Sequence, residues 1–206
     1  MSNAALALFA QSLLIGFSIA APVGPIGLLT IQRTLQLGTR AGLATGLGAA
    51  VADAVYGAVG AFGVTALIEV MTSARLPLAA GGGAFLLWLG YRTWRAPIAE
   101  QAAQVRGGAD LLRCFAGTFV LTLSNPATIL SFVAVFGAIA GRSVVASPWT
   151  MIAGVLLGSA LWWWLLSAVV GRLRERFDLR WRRRINQASA LLLAGFAVWQ
   201  LAQLVR

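Results

Sequence analysis

The chain has no lysine, no histidine, one cysteine and only six acidic residues in 206. Each shortage excludes something. Without histidine, and with so few carboxylates, there is little for acid–base catalysis to work with. The lone Cys114 rules out an intrachain disulfide and any CxxC chemistry. Charged residues make up 11% of the chain, where a soluble domain carries about a quarter. Apolar residues reach 59% and mean hydropathy is +0.82, which is the composition of an integral membrane protein. No enzyme, no cofactor and no metal site are expected. The basic residues are all arginine and the net charge is +10. Long uncharged runs separate them, so membrane topology explains them better than nucleic-acid binding does. The N-terminus lacks a basic leader region and its apolar run continues past any cleavage site, so it does not read as a signal peptide.

Uncharged stretches of about 20 residues predict an all-α integral membrane protein with six spans. They run from about Ala4 to Gln32, Ala41 to Ile68, Leu76 to Gly90, Cys114 to Gly141, Pro148 to Gly171 and Ile185 to Val205. One polar loop, Ala96 to Asp110, interrupts them. The reading is a single transmembrane domain over 1–206: one repeat to about residue 95, a loop at about 96–112, and a second repeat from about 113. Thirteen arginines fall on the side of the first, third and fifth connections, and three on the other. By the positive-inside rule the rich side is cytoplasmic and both termini are periplasmic. The run Arg172 to Arg184 reads as an orientation signal and interfacial anchor, with binding of anionic lipid headgroups as the alternative.

The most informative stretch is Ala21-Pro22-Val23-Gly24-Pro25, inside the uncharged first span. Two prolines three apart remove backbone donors and clash with the preceding turn, and each pushes its predecessor towards an extended conformation. Either the helix is kinked there or it is broken. Broken backbone at membrane depth is tolerated where it is buried or lines a cavity. A second such place is Leu123-Ser124-Asn125-Pro126 in the fourth span, where Ser or Asn suits an N-cap and Pro126 a first helical position. At ~1.5 Å per residue both breaks fall roughly 12–20 Å from the cytoplasmic edge, close to the middle of a core about 30 Å thick. Each is followed by a span rich in small residues. Three spans per half would place the halves in opposite orientations, as two inverted repeats with broken helices 1 and 4.

Asp53 is the one ionisable side chain well inside a span, at the depth of the breaks. Such a residue usually faces the bundle interior and marks a pathway. Gly46, Ala49, Gly57 and Gly60 share its face, a stripe that lets another helix approach closely, and Tyr56 lies one turn on. A structural Asp bonded to unwound backbone is the alternative. The helices that begin near Pro25 and Pro126 offer dipole ends for an anion, and the helices that end there offer carbonyls for a cation. With Asp53 as a negative charge or a proton site, the set suits a zwitterion such as an α-amino acid. The candidate substrate-binding residues are Pro22, Gly24, Pro25, Asp53, Tyr56, Ser124, Asn125 and Pro126, with Asp53 also the candidate for proton coupling.

Ala21-Pro22-Val23-Gly24-Pro25, Gly48 with Ala52-Asp53-Ala54, Leu89-Gly90-Tyr91 and Leu123-Ser124-Asn125-Pro126 carry a resemblance to the LysE/RhtB family of amino-acid exporters over nearly the whole chain. The resemblance implies a bacterial inner-membrane permease that exports amino acids or related small zwitterions, coupled to the proton or membrane gradient. It also implies that the Pro-Gly-Pro region, Asp53 and the Asn125-Pro126 turn line the path. Members that handle basic amino acids often carry a further acid after the Asn-Pro turn. Here Ala127, Thr128, Ile129, Leu130 and Ser131 follow, so a neutral amino acid is expected. The expected partners are that substrate and membrane lipid, with a homodimer left open and no nucleic acid. A metal-ion or other small-solute exporter of the same superfamily is the alternative. Trp162, Trp163 and Trp164 read as helix packing, or else as a wall of the path or a cation–π contact to an ammonium.

Overall fold

A computed structural model describes residues 3–22, 24–62, 75–95, 107–125, 128–132, 135, 147–174 and 179–202. The described residues are helical, with no strand among them. The helices are α1 (Asn3–Ala20), α2 (Pro25–Leu37), α3 (Thr39–Phe62), α4 (Arg75–Arg95), α5 (Gly108–Leu123), α6 (Pro148–Leu173) and α7 (Leu179–Ala202). Residues 128–132 are helical again after α5. By length and composition, α1, α3 and α6 can each cross a membrane.

The first uncharged run is broken into two helices. Helix α1 ends at Ala20, and α2 starts at Pro25, whose missing N–H and fixed φ suit a first helical position. Between them Gly24 is extended, with φ −111° and ψ −164°. At its other end α2 stops on Gly38, whose φ of +98° is a left-handed conformation that favours glycine. The Gly38 N–H closes the last turn on the Thr34 carbonyl at 3.1 Å, and the Gly38 carbonyl already accepts from Ala41 and Gly42 in α3. One glycine therefore turns the chain from α2 into α3.

The fourth run is also interrupted. Helix α5 begins at Gly108, with Asp110 in its first turn where an acid complements the helix dipole, and ends at Leu123. The Asn125 N–H bonds to the Thr122 carbonyl, and the Asn125 carbonyl then accepts from Ile129 at 3.1 Å. Asn125 thus heads the helical residues 128–132. Pro126 lies outside the described residues, as do Val23 and residues 133–134 and 136–146.

Helix α3 is central. Two-thirds of its most apolar window is buried, against a sixth for α1 and a third for α6. It packs chiefly on α6 and α5, while α1 packs on α6 and α4 on α7. Glycine makes these approaches close. A Cβ on Gly16 would strike the Val155 carbonyl, one on Gly158 the Leu13 carbonyl, and one on Gly48 the Phe115 carbonyl. Between apolar helices in lipid there is no water to expel, so such van der Waals contact is the main cohesive force. The small residues of α3 work the same way: Gly46 lies against the Trp163 side chain and Gly57 against Val155. Helix α2 is buried almost all round, with Ile26 to Thr30, Gln32, Thr34 and Leu35 all inside.

Candidate functional site

The two breaks and Asp53 border one cavity of about 300 Å³. From the first break the wall takes Pro22, Gly24, Pro25 and the first turn of α2, Ile26 and Gly27. The early N–H groups of a helix have no intrahelical acceptors, and no side chain caps this end. Backbone donors and the positive end of a helix dipole therefore meet the cavity, an arrangement that favours an anion.

Helix α3 contributes Ala49 and Asp53. Asp53 is 3% exposed. Its Oδ2 accepts from the Ser159 hydroxyl at 2.7 Å, and Ser159 Oγ in turn accepts from Trp163 Nε1 at 3.1 Å. The small stripe of α3 brings α6 near enough for this relay to form. One donor satisfies only part of a carboxylate's capacity, since each oxygen accepts about twice.

The chain around the second break presents polar side chains at a spacing of three: Thr122, Asn125, Thr128 and Ser131. Thr122 differs from its neighbours. The hydroxyls of Ser12, Thr30, Thr34, Thr45, Thr118 and Ser124 each bond back to the carbonyl one turn earlier. Thr122 Oγ1 is buried with no hydrogen-bond partner among the described residues. Trp163, Phe196 and Trp199 supply aromatic surface to the same cavity. Polar groups at fixed points in an otherwise apolar, concave wall are what small-molecule sites are made of.

Of the residues singled out in the sequence, Pro22, Gly24, Pro25, Asp53 and Asn125 are in the cavity wall. Tyr56 is not among the lining residues. Its hydroxyl donates to the Leu123 carbonyl at 2.7 Å, at the end of α5, and its ring stacks on Phe132 at 5.2 Å. Ser124 is not there either; it bonds to the Val120 carbonyl. The three tryptophans point three ways: Trp162 meets Phe17 edge-on at 5.4 Å, Trp163 lines the cavity, and Trp164 is exposed. Sequence reasoning missed the Asp53–Ser159–Trp163 relay, although Ser159 and Trp163 are one helical turn apart. It also missed the period-three stripe, which the spacing Thr122, Asn125, Thr128, Ser131 would have disclosed.

No group of three or more His, Cys, Asp or Glu that could hold a metal occurs among the described residues. Arg33 turns inward rather than to the surface. It sits within α2, half-buried, and Nη1 donates to Thr45 Oγ1, the Cys114 carbonyl and Thr118 Oγ1 at 3.1, 2.9 and 3.0 Å.

Comparison with known proteins adds a family and relatives. The family model described as LysE type translocator matches residues 17–203. The chain is 31% identical to the chemotactic transduction protein ChpE of Pseudomonas aeruginosa, over 93% of this chain and 96% of that one. It is 27% identical to the arginine exporter protein ArgO of Photorhabdus laumondii, over 96% of each. With the threonine efflux protein of Salmonella typhimurium it shares 27% identity, over 70% of this chain and 73% of that one. No solved structure matches it.

Proposed function

The chain belongs to the family of LysE type translocators, and from that premise we propose that it exports a neutral α-amino acid or similar small zwitterion across the bacterial inner membrane. The observation that carries this reading is the 300 Å³ cavity in which a helix N-terminus, a buried carboxylate and a polar stripe meet. A substrate carboxylate goes to the first turn of α2 and its ammonium to Asp53, the one acidic residue among the described residues of that wall. The relatives named as threonine and arginine exporters support amino-acid export as the activity. With a single acid in the wall, a second cationic group on the substrate has no counter-charge there, which favours neutral side chains. Asp53 is also the carrier of the coupling proton in this reading. Exchange of a proton against the substrate ammonium at one carboxylate makes binding of the two mutually exclusive.

The architecture proposed is six spans in two inverted repeats, with residues 1 to about 95 and from about 113 as the halves, the loop between them cytoplasmic and both termini periplasmic. The contacts support it. Exchanging the halves maps the α1–α6 contact onto α5–α3, and maps α3–α6 and α4–α7 each onto itself; these are the four largest helix contacts. Each half also opens with a helix that is interrupted in mid-course.

The deciding experiment loads vesicles containing the protein with a panel of neutral, basic and acidic amino acids and follows efflux with and without a pH gradient. Saturable efflux of neutral amino acids, faster with the gradient, is expected. Saturable flux of a divalent cation with no amino-acid flux would overturn the reading.

A further inference from the structure

Helix α2 stands between the cavity and the arginine-rich end of the bundle. Its first turn forms the cavity floor, and below it Leu29, Thr30 and Thr34 are each at most 1% exposed. Thr45 of α3 and Thr118 of α5, which face it, are fully buried. The cavity wall also includes Pro22 and Trp199, both exposed. A solute leaving towards the arginine-rich end therefore has to displace α2.

Two arginines hold the lower end of that helix. Arg33 Nη1 carries only two protons and meets three acceptors, on α3 and α5. The two threonine hydroxyls turn their own protons to backbone carbonyls, Thr45 to Ala41 and Thr118 to Cys114. Their lone pairs are thereby presented to the guanidinium. Arg174, at the end of α6, donates from Nε to the Leu35 carbonyl at 3.0 Å and from Nη2 to the Gln36 carbonyl at 3.5 Å. It satisfies carbonyls at the C-terminus of α2 and complements its dipole. The acceptors named here are all neutral oxygens, so each of these ties is weaker than a buried ion pair and can be remade. The ends of α2 are suited to movement. Gly38 alone joins it to α3, and at Gly24 a side chain would meet open space, so packing does not demand the glycine there.

We propose that Arg33 and Arg174 latch α2 as an inner gate: tied, they close the cavity from the arginine-rich side, and released, they let α2 swing between Gly24 and Gly38. The gate rests on the transport reading for its purpose, but its test does not need substrate. In a Cys114→Ala background, which keeps the carbonyl that Arg33 uses, Ala49→Cys places one thiol in the cavity wall. Its modification by a membrane-impermeant methanethiosulfonate is followed in sided vesicles from each face in turn. With the latch intact, reaction from the arginine-rich face is slow. Arg33→Gln is expected to raise that rate roughly tenfold, the population shift that follows loss of a charge-assisted hydrogen bond, while the rate from the other face does not rise. Arg33→Lys, which keeps the charge but not the fork, falls between. Should Arg33→Gln fail to fold, Thr45→Val with Thr118→Val removes two of the three acceptors and leaves the arginine in place, and Arg174→Gln releases the other tie. Unchanged sidedness in these variants overturns the latch, whatever the protein transports. Altered sidedness in a protein that moves no amino acid leaves the latch standing and removes the transport reading instead.

Discussion

Replacing Asp53 by Asn isolates the charge from the shape of the site. The amide oxygen still accepts from Ser159, so the relay through Trp163 and the packing of α3 on α6 persist. What disappears is the attraction of a carboxylate for an ammonium, at a side chain only 3% exposed. A hydrogen bond to a charged group contributes about 1.5–3 kcal/mol, which is about 10- to 150-fold in affinity. Counterflow in proteoliposomes reads this as the half-saturating amino-acid concentration, which is expected to rise by that factor. Stimulation by a pH gradient is expected to vanish with it. The thermal midpoint of the purified protein should hold steady, since the hydrogen bond is kept. A second arm uses the substrate: an α-hydroxy acid, which lacks the ammonium, should be rejected by the native protein and discriminated far less by the Asn variant. A variant with native half-saturation, native gradient response and native discrimination refutes the assignment of Asp53 to the ammonium and the proton.

Four further substitutions follow from the packing and the hydrogen bonds. Gly158→Leu should prevent α1 from docking on α6 and abolish recovery of folded protein by size-exclusion chromatography, whereas Gly195→Leu, where a Cβ meets nothing, should be tolerated. Tyr56→Phe leaves the Leu123 carbonyl without its partner and should cost about 1–3 kcal/mol, read as a lowered thermal midpoint with little change in half-saturation. Thr122→Val replaces a buried hydroxyl that has no partner among the described residues and should be neutral or stabilising in a thermal melt, because an unpaired buried polar group is a cost of about 1–3 kcal/mol. A marked fall in its midpoint would show that Thr122 is bonded after all.

Much of this arrangement was legible in the sequence, and for identifiable reasons. Proline acts through its own ring and the residue before it, so the breaks after Ala20 and Leu123 could be read locally. Asp53 stood out because an acid in an apolar span is expensive, and the glycines around it announced a close neighbour without saying which. The neighbour, α6, is a matter of long-range packing, so Ser159 and Trp163 could not be joined to Asp53 from spacing alone. Tyr56 shows the limit of face arguments: one turn from Asp53, it lies against the second break, with its hydroxyl on the Leu123 carbonyl rather than in the cavity wall. Arg33 was read only as a member of a charge count, and Arg174 only as part of an orientation and anchoring run. A topology rule weighs every arginine equally, and nothing local distinguishes one that turns inward to carbonyls from one that meets the membrane surface.

The interleaving of α1 with α6 bears on how the polypeptide is made. Helix α1 is synthesised long before α6, its main partner, so the nascent N-terminal half must wait in the bilayer with its glycine-lined flank uncovered. Neither half owns a complete interior. Two separately encoded fragments, cut within 96–106, should therefore be degraded when made singly and protect one another when made together.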